Sequence, residues 1–510
     1  MSSELSPTFI AACGIVAGIA YLFLLVLYRL HFHPLSSYPG PVVARLSDLF
    51  GAFYAYSTSL HLRTLKDHDD YGTVIRHGPN KLVFNSARAL RDIYKNEQIL
   101  KSRAYLVSQT APGVFNLFNA RDPQLHHEKR KLAGRFLTKK SIEAFEPVMM
   151  HQIDVFIHQI ASHCDDTNVR PVNMTPQTKH LSIDIMGHLL FNYPLNLQTE
   201  STHRHMSYSR ASFFFNVATQ VSSLVDLRVW TLQFLWSMMS RKRYVHTLEN
   251  VIRNCLSQGQ QVKHKLLFLS AKSAVSGDDT DWINDVRTEA LWFMLAGSDT
   301  TSTLLSALSF YLARNRRCYQ RLCKEIRTTF NQDSEIRSGA RLASCAYLRA
   351  CLDETLRMTP PLPGTLWREG ISQSSIKPLI VDGHVIPKGV QVGVNTYAIL
   401  HNEEYFSEPF TFKPERWLEG AGPGEANREA FAPFSLGAHG CLGKSMAYLE
   451  ASLTTAKIIW HFDFDEAPGM LAVPGKKGAK QQARNSEFPI RDSFAAVHDG
   501  PYLNFRRVGS

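Results

Sequence analysis

FSLGAHGCLG, residues 434–443, places a single cysteine, Cys441, among glycines on a loop. Glycine is used where the backbone must take a positive φ or where another body approaches it closely. The residues after Cys441 read LGKSMAYL and favour a helix, so its sulfur should lie near the free amide N–H groups of a helix start, which favour a thiolate. The stretch therefore predicts a cysteine that presents a metal-binding thiolate to a large, flat partner; the alternative is an ordinary buried cysteine near a helix start.

The bulk composition is that of one large globular chain. Its 510 residues, with 44% hydrophobic and 20% charged side chains, can bury a large core. The net charge of +11 raises the question of nucleic-acid binding, but Lys and Arg are scattered and no nucleic-acid motif is present. A membrane surface or an acidic protein partner is the better explanation of the charge. The eight cysteines are dispersed, so we expect reduced thiols and a cytosolic body.

The N-terminus predicts a retained membrane anchor. Residues 9–28 carry no charge, and at about 1.5 Å per residue a helix of this length spans roughly 30 Å, one hydrocarbon core. A cleaved signal peptide would have a basic start and a shorter apolar run, whereas here only Glu4 precedes the run and Arg29 follows it. The positive flank predicts that the body stays in the cytosol. We assign residues 1–30 to the anchor, the proline-rich residues 31–41 to a stiff hinge and residues 42–510 to the body.

Helical periodicity dominates the body, and strands are short and few. We predict helices at residues 142–162, 178–190, 207–221, 245–271, 282–314 and 318–329. We predict strands at residues 73–77, 81–84, 379–381 and 390–395. No linker divides the body, so the predicted fold is one large, mainly α (α+β) domain with small β-sheets, preceded by a single transmembrane helix.

The cysteine loop resembles the haem loop of the cytochrome P-450 superfamily, which reads Phe-x-x-Gly-x-Arg-x-Cys-x-Gly. Phe434, Gly437, Cys441 and Gly443 match this pattern, and His439 stands where most members carry arginine. The resemblance implies that the Cys441 thiolate is the axial ligand of a haem iron. It also implies that His439 donates to a haem propionate, more weakly than arginine would, because the charge of a histidine depends on pH.

Two further motifs resemble the family's structural network. Glu354 and Arg357, in ETLR, are similar to its Glu-x-x-Arg, and Arg416, in PERW, belongs to a stretch similar to its Pro-Glu-Arg-Phe. Taken alone, the first pair could be a helix-surface ion pair. Together the motifs imply a buried ion network that supports the haem loop.

AGSDTT, residues 296–301, lies inside the predicted helix 282–314 and is similar to the family's acid–alcohol motif. The resemblance implies that the Thr300 hydroxyl interrupts the helix and hydrogen-bonds dioxygen at the haem, while Asp299 connects to a proton supply. The alternatives are a core helix that tolerates a glycine and hydroxyl side chains that bond back to the i−4 carbonyl.

Basic residues elsewhere match the family's propionate contacts. His126 and Arg130 resemble the helix that crosses the haem edge, and Arg368, in LWREG, occupies the place of another propionate arginine. We also expect some of the basic residues around Arg130 to face solvent and to dock an acidic reductase. These residues are Arg121, Lys129, Lys131 and Arg135.

The resemblance implies a membrane-anchored haem-thiolate monooxygenase. Its cofactor would be haem b, its co-substrate dioxygen, and its electrons would come from NADPH through a cytochrome reductase, with cytochrome b5 as a second candidate donor. It would sit as a single-pass protein in the endoplasmic reticulum membrane, facing the cytosol. Two alternatives stay open: a haem-thiolate isomerase or dehydratase without external oxygen, and a non-catalytic membrane haem or lipid carrier. The intact acid–alcohol pair argues against both.

The predicted substrate is a neutral, lipophilic terpenoid or polyketide-like intermediate. The hinge resembles that of filamentous-fungal members, which suggests secondary metabolism, and residues 230–239 are apolar enough to dip into a bilayer. Apolar residues in the family's pocket segments are the candidate lining. They are Phe115, Phe118, Phe214, Leu362, Leu366 and Phe494.

Overall fold

The computed structural model describes residues 7–110, 113–164, 170–207, 211–221, 230–257, 280–370, 378–420, 428–468 and 486–508. The α-helices in these ranges are α1 (Pro7–Leu27), α2 (Val42–Leu46), α3 (Leu49–Tyr56), α4 (Leu60–Tyr71), α5 (Ala87–Tyr94), α6 (Pro123–Gly134), α7 (Lys139–Ala161), α8 (Met174–Phe191), α9 (Ala211–Gln220), α10 (Trp230–Ser257), α11 (Thr280–Arg314), α12 (Arg316–Thr329), α13 (Ala340–Ser344), α14 (Ala346–Met358), α15 (Thr396–Leu400) and α16 (Lys444–His461). A π-helical turn, Tyr28–Phe32, continues α1. Short 3₁₀ helices lie at Arg103–Ser108, Arg204–Ser207, Asp333–Glu335, Pro414–Trp417 and Gly437–His439.

The strands are short and form small sheets. They are β1 (Val74–Gly78), β2 (Lys81–Phe84), β3 (Ile99–Lys101), β4 (Val172–Asn173), β5 (Arg368–Gly370), β6 (Leu379–Val381), β7 (His384–Ile386), β8 (Gln391–Val394), β9 (Phe462–Glu466), β10 (Arg491–Ser493), β11 (Ala495–Val497) and β12 (Tyr502–Arg507). One sheet has the order β1-β2-β8-β5-β3 and another the order β4-β12-β9, while β6-β7 and β10-β11 are two-stranded. The predicted fold class, mainly helical with small sheets, is confirmed.

Local sequence explains where the helices around the site begin. The Asp122 side chain accepts a hydrogen bond from the Leu125 amide at 2.8 Å, and Pro123 occupies the first helical position of α6. Both are favoured at a helix start, because the carboxylate satisfies a free amide and proline lacks one. Helix α16 begins at Lys444, three residues after Cys441, so its amides face the cysteine loop.

Helices α8 and α11 pack closely at the centre of the domain. A Cβ atom at Gly297 of α11 would collide with the Met186 side chain of α8, so any larger residue would force Met186 to move. Further along α11, Leu304, Leu308 and Tyr311 are buried in the main hydrophobic core. The helix that carries the AGSDTT motif is therefore held on a rigid base.

Most predicted elements are present, and the differences have identifiable causes. Helices α7, α8, α11 and α12 and strands β1, β2, β6 and β8 confirm eight predictions. The predicted helix 207–221 corresponds to α9, Ala211–Gln220, and residues 208–210 lie outside the described part of the chain. The predicted helix 245–271 starts earlier, at Trp230, because the apolar residues 230–239 were interpreted as a membrane segment instead of the first turns of α10. The side chains of residues 230–239 and all of residues 258–271 lie outside the described part of the chain.

The chain has one described helix that is long and apolar enough to cross a membrane, Pro7–Phe32. None of the residues of α1 is buried against the rest of the protein. Both findings agree with the predicted anchor, while its boundary at residue 30 stays a prediction.

Two arginines of the body, Arg45 and Arg76, donate hydrogen bonds to backbone carbonyls around the start of the hinge. Arg45 Nη2 donates to the carbonyl oxygens of Leu30 and Ser36, both at 3.1 Å. Arg76, which is fully buried, donates from Nη1 to the carbonyl of Arg29 at 2.8 Å and to that of Leu35 at 3.4 Å. The segment between anchor and body is thus docked on the domain by side-chain contacts as well as stiffened by proline.

Candidate active site

The cysteine loop is folded tightly against α5. The Cys441 amide donates to the Phe434 carbonyl at 2.8 Å, which closes the loop on itself. Gly437 has a φ of +68°, and a Cβ atom there would collide with the carbonyl of Tyr94. Glycine is required at this position for both reasons. The loop therefore has a fixed shape that leaves the Cys441 side chain exposed.

The sulfur of Cys441 receives two backbone hydrogen bonds. The amides of Gly443 and Lys444 donate to it, and Arg130 adds a nearby positive charge. Although the side chain is accessible, it lies deep in the fold, and burial raises the pKa of the thiol more than these groups lower it. The amides at the helix start favour the thiolate, as predicted, but they do not offset the effect of burial. A bound cation would have to complete the deprotonation.

Helix α6 reaches the loop through two of its predicted residues. Arg130 Nη1 donates to the Gly440 carbonyl at 2.7 Å, and His126 Nε2 lies 3.1 Å from His439 Nδ1. Burial and the neighbouring cations, of which Lys101 acts most strongly, lower the pKa of His126 to about 3 and that of His439 to about 2. Both imidazoles are therefore neutral at physiological pH, so His439 replaces the usual arginine without its charge.

Strand pairing brings another predicted residue to the same cluster, together with one that the sequence analysis missed. Arg368 of β5 lies opposite Lys101 of β3, and both side chains are buried. Burial, Arg368 and Arg130 hold the pKa of Lys101 well below its usual range. A lysine at the end of the short, mostly buried strand ILK was the available signal.

The two buried cations Lys101 and Arg368 and the half-buried Arg130 repel each other, and the Glu289 carboxylate opposes this repulsion at Lys101. Two propionate groups would balance this charge. Together with the exposed Cys441 on its glycine loop, the residues fit a haem.

The two residues of the acid–alcohol pair, Thr300 and Asp299, have different partners. Thr300 Oγ1 donates to the Ala296 carbonyl at 2.6 Å, and α11 stays helical through it. The predicted helix interruption is therefore absent, because the hydroxyl bonds back to the i−4 carbonyl instead. Asp299 forms an ion pair with Lys179 of α8, a residue that the sequence analysis missed. Burial lowers the pKa of Lys179 to about 7, whereas contact with the carboxylate favours its ammonium form.

Glu354, Arg357 and Arg416 form a fully buried network. Arg357 Nε and Nη2 each donate to one oxygen of Glu354 at 2.9 Å, and Arg416 Nε donates at 3.1 Å. The indole of Trp417, where the family pattern has phenylalanine, donates to Glu354 Oε2 at 2.9 Å. Burial alone would raise the pKa of Glu354, but the two arginines hold it below its ordinary value. The structure thus brings these three predicted residues together.

Two of the six candidate pocket residues meet in an aromatic group. Phe118 stacks on Trp292 with ring centres 4.5 Å apart and meets Phe494 at 5.6 Å. The α9 residue in this group is Phe215, 5.5 Å from Phe118, and not the predicted Phe214. Phe214 packs on Phe213 instead, because one residue along a helix turns the side chain by roughly 100°.

The other three candidate pocket residues are half-buried. Leu366 packs against the core formed around β2 and β8, so it belongs partly to the scaffold. Phe115 lies in the segment before α6, and Leu362 follows α14. Their place in a substrate pocket stays a prediction.

The basic residues around Arg130 do not all face solvent. Lys129 Nζ pairs with Asp285 at 3.0 Å and Glu289 at 2.9 Å, and its side chain is 5% exposed. Arg121 forms an ion pair with Glu369. Lys129 therefore does not face solvent, and the partly exposed Arg121 is held by an acidic residue distant in sequence. Lys131 and Arg135 are exposed, as predicted for a docking surface.

The comparisons with known proteins agree with the fold and the site. The family model of Cytochrome P-450 matches residues 48–478. The chain is 35% identical over 504 residues to the cytochrome P-450 monooxygenase poxM of Penicillium oxalicum, covering 96% of this chain and 93% of that protein. It is 32% identical over 516 residues to the monooxygenase AKT7 of Alternaria alternata, covering 97% of each chain. It is also 31% identical over 520 residues to the monooxygenase apf7 of Gibberella fujikuroi, covering 96% of each chain. The chain therefore belongs to the cytochrome P-450 family and is a monooxygenase.

Proposed function

We propose that the chain binds haem b through Cys441 and oxidises a lipophilic small molecule, with electrons that a cytochrome reductase passes on from NADPH. The observation that carries the proposal is the exposed Cys441 sulfur, which receives two backbone hydrogen bonds on a loop shaped by Gly437. The relatives are named monooxygenases, which favours this function over an isomerase, a dehydratase or a carrier.

Five residues would hold the cofactor. Cys441 would ligate the iron, while the half-buried Arg130 and the buried Arg368 and Lys101 would pair with the propionates. His439, neutral and in contact with His126, would offer at most a hydrogen bond. When bound, a haem with a thiolate ligand supplies the activation of dioxygen that oxidises a C–H bond.

Thr300 and Asp299 would deliver the protons that the reaction consumes. The Thr300 hydroxyl would break its hydrogen bond to the Ala296 carbonyl and would hold the proton that the reaction consumes in the pocket. Asp299 would then supply the next proton. The ion pair with Lys179 keeps Asp299 oriented towards α8. Thr300→Ala should retain substrate binding but divert reducing equivalents to peroxide. Unchanged coupling of NADPH to product in this variant would remove Thr300 from the proposal.

The pocket would select a neutral, apolar substrate, such as a terpenoid or polyketide-like intermediate of fungal secondary metabolism. Phe118, Phe215, Trp292 and Phe494 form an aromatic group without charges, which suits such a molecule. Apolar pockets discriminate weakly, at roughly 1–3 kcal/mol per methylene, so we expect side products. Substrate-induced shifts of the haem absorption across a panel of compounds would test this. Tight binding of charged, water-soluble compounds alone would contradict it.

The enzyme would act at the endoplasmic reticulum membrane, with its domain in the cytosol. The apolar helix Pro7–Phe32 supports the attachment, and Arg29 at its C-terminal end supports the orientation. Lys131 and Arg135 would dock an acidic reductase, or cytochrome b5 as the second donor. They flank Gly134, where an added Cβ atom would lie 3.9 Å from Leu442, the residue after Cys441. This proximity supports a docking surface on the cysteine side of the site.

The decisive experiment replaces the ligand. Cys441→Ser should abolish the strongly red-shifted absorption band of the reduced protein with carbon monoxide, because that band requires a thiolate ligand. Cys164→Ser, a half-buried cysteine at the end of α7, is the matched control and should leave the band unchanged. A Cys441→Ser protein with the same band would end the proposal. NADPH-dependent oxygen uptake with added reductase would test the electron source.

A further inference from the structure

A cleft of about 400 Å³ lies where the membrane helix joins the domain. Arg29, two residues after the end of α1, lines it together with Asp48 and Leu49 at the start of α3. Lys81 of β2 and Arg103 complete its charged lining. The volume is within the range of small-molecule sites, roughly 300–1,000 Å³. Its position next to the end of a membrane-spanning helix puts it at the level of lipid headgroups.

The charged lining of the cleft is mostly positive. Arg29, Lys81 and Arg103 face one carboxylate, that of Asp48, which lies 3.6 Å from Lys81 Nζ. Behind the cleft, Arg76 is buried, and burial together with its neighbours Arg45 and Arg29 lowers its pKa to about 10. The single carboxylate of Asp48 does not neutralise these cations, so the cleft has a positive potential that would stabilise a bound anion.

A buried amide supplies an independent indication of a ligand. Gln391 of β8 lines the cleft with 2% of its surface exposed. Its Oε1 atom has no hydrogen-bond partner among the described residues. Buried polar side chains in folded proteins are almost always hydrogen-bonded, so an orphaned one that lines a cleft marks a place for a polar ligand group. The amide can rotate to offer either its oxygen or its NH₂ group.

Helix α3, whose first residue Leu49 lines the cleft, has an exposed apolar face. Leu49, Phe53 and Tyr56 follow one another at helical spacing along α3 and are 67%, 64% and 69% exposed. Exposed apolar side chains on one face of a helix at a membrane surface pack against acyl chains. The cleft therefore combines a cationic interior with an apolar border, which is the complement of an anionic amphiphile.

We propose that this cleft binds the headgroup of an anionic phospholipid. Its phosphate lies between Arg29 and Arg103, near the buried Lys81, whose ammonium donates to the carbonyls of Thr219 and Gln220. Its acyl chains cover the exposed face of α3. The inference goes beyond the monooxygenase function and does not depend on haem or turnover. It gives the membrane attachment a lipid preference in addition to the anchor.

The test uses the full-length protein in detergent and measures binding by calorimetry. The probes are dihexanoyl phosphatidylserine, dihexanoyl phosphatidylcholine and inorganic phosphate. We expect phosphatidylserine to bind more tightly than the other two. Arg29→Gln and Arg103→Gln should each weaken its binding about fivefold, because one cation near a lipid surface contributes about 1 kcal/mol. Lys66→Gln, an exposed lysine of α4 outside the cleft, is the matched control and should bind phosphatidylserine like the native protein.

Each other outcome overturns the proposal. Inorganic phosphate that binds as tightly as phosphatidylserine would show a general anion site. If phosphatidylserine and phosphatidylcholine bind equally well, or if neither arginine variant weakens the binding, the exposed apolar face of α3 alone binds the lipid. If Arg103→Gln fails to fold, Arg29→Gln decides, because Arg29 is only half-buried and lies outside the main core.

Discussion

Replacing Glu354 with glutamine should severely destabilise the domain. The carboxylate accepts hydrogen bonds from both guanidiniums of the network, from the Trp417 indole and, at 3.0 Å, from the Lys413 amide. All three charged side chains are fully buried. Glutamine keeps the size of the side chain but removes its charge and turns one acceptor into a donor. Arg357 and Arg416 would then be buried cations without their shared counter-charge.

The expected loss can be estimated from this arrangement. Removing one partner of a buried ion pair costs about 3–5 kcal/mol, and here two cations lose the same partner. We therefore expect Glu354→Gln to lower the free energy of unfolding by at least about 3 kcal/mol, a large share of the roughly 5–15 kcal/mol of a typical domain. The arginines hold the pKa of Glu354 below its ordinary 4.5, so the network stabilises fully above that pH and is lost as the pH falls through the lowered value.

Urea denaturation of the full-length protein, followed by tryptophan fluorescence, would measure this difference at pH 7 and at successively lower pH. Glu143→Gln is the matched control, because Glu143 pairs with Lys139 on the surface of α7 at 3.9 Å. An exposed pair of this kind contributes about 0–1 kcal/mol. A Glu354→Gln protein within 1 kcal/mol of native at pH 7, or a difference that grows in acid, would refute the reasoning.

Three further predictions follow from other contacts. Burial raises the pKa of Glu450 to about 8, so at pH 8 the native protein loses about 1.4 kcal/mol of stability for each unit of this shift. Glu450→Gln should therefore match the stability of the native protein below pH 4.5 and exceed it by a few kcal/mol at pH 8. Equal denaturation midpoints of the two proteins at both pH values would contradict this. Arg76→Gln should speed tryptic cleavage near the hinge, since the guanidinium no longer binds its carbonyls, and an unchanged digestion time course would count against the docked hinge. The double variant Lys131→Glu, Arg135→Glu should be reduced more slowly by the reductase, and its reduction rate should depend less on salt. Lys324→Glu, on the exposed surface of α12, is the control and should leave the rate unchanged. Unchanged reduction rates of the double variant at low salt would mean that the docking site lies elsewhere.

Motifs predicted the parts of the site that a local pattern encodes. Glu354 and Arg357 lie three residues apart on one helix, so the sequence alone indicates that they can meet. Arg416 joins them because a short 3₁₀ turn, Pro414–Trp417, delivers it. The loop around Cys441 was likewise predictable, since its glycines are required by the backbone itself.

Contacts between distant segments were not predictable in this way. Lys129 stands in the run EKRK and reads as a solvent-facing lysine, yet its partners Asp285 and Glu289 lie on α11. Lys101 joins the cationic cluster only because β3 pairs with β5. Periodicity also leaves the phase of a helix uncertain by one residue, which is why Phe214 was chosen over Phe215.

The docked hinge has a consequence for making a soluble form of the enzyme. A truncation placed after residue 36 would delete both carbonyl acceptors of Arg45 and would leave Arg76 only its hydrogen bonds to the Pro79 carbonyl. A truncation that begins at Tyr28 would remove the apolar helix and keep those acceptors. A protein that begins at Ser37 should therefore aggregate more readily than one that begins at Tyr28, so the better boundary for recombinant expression is the end of α1.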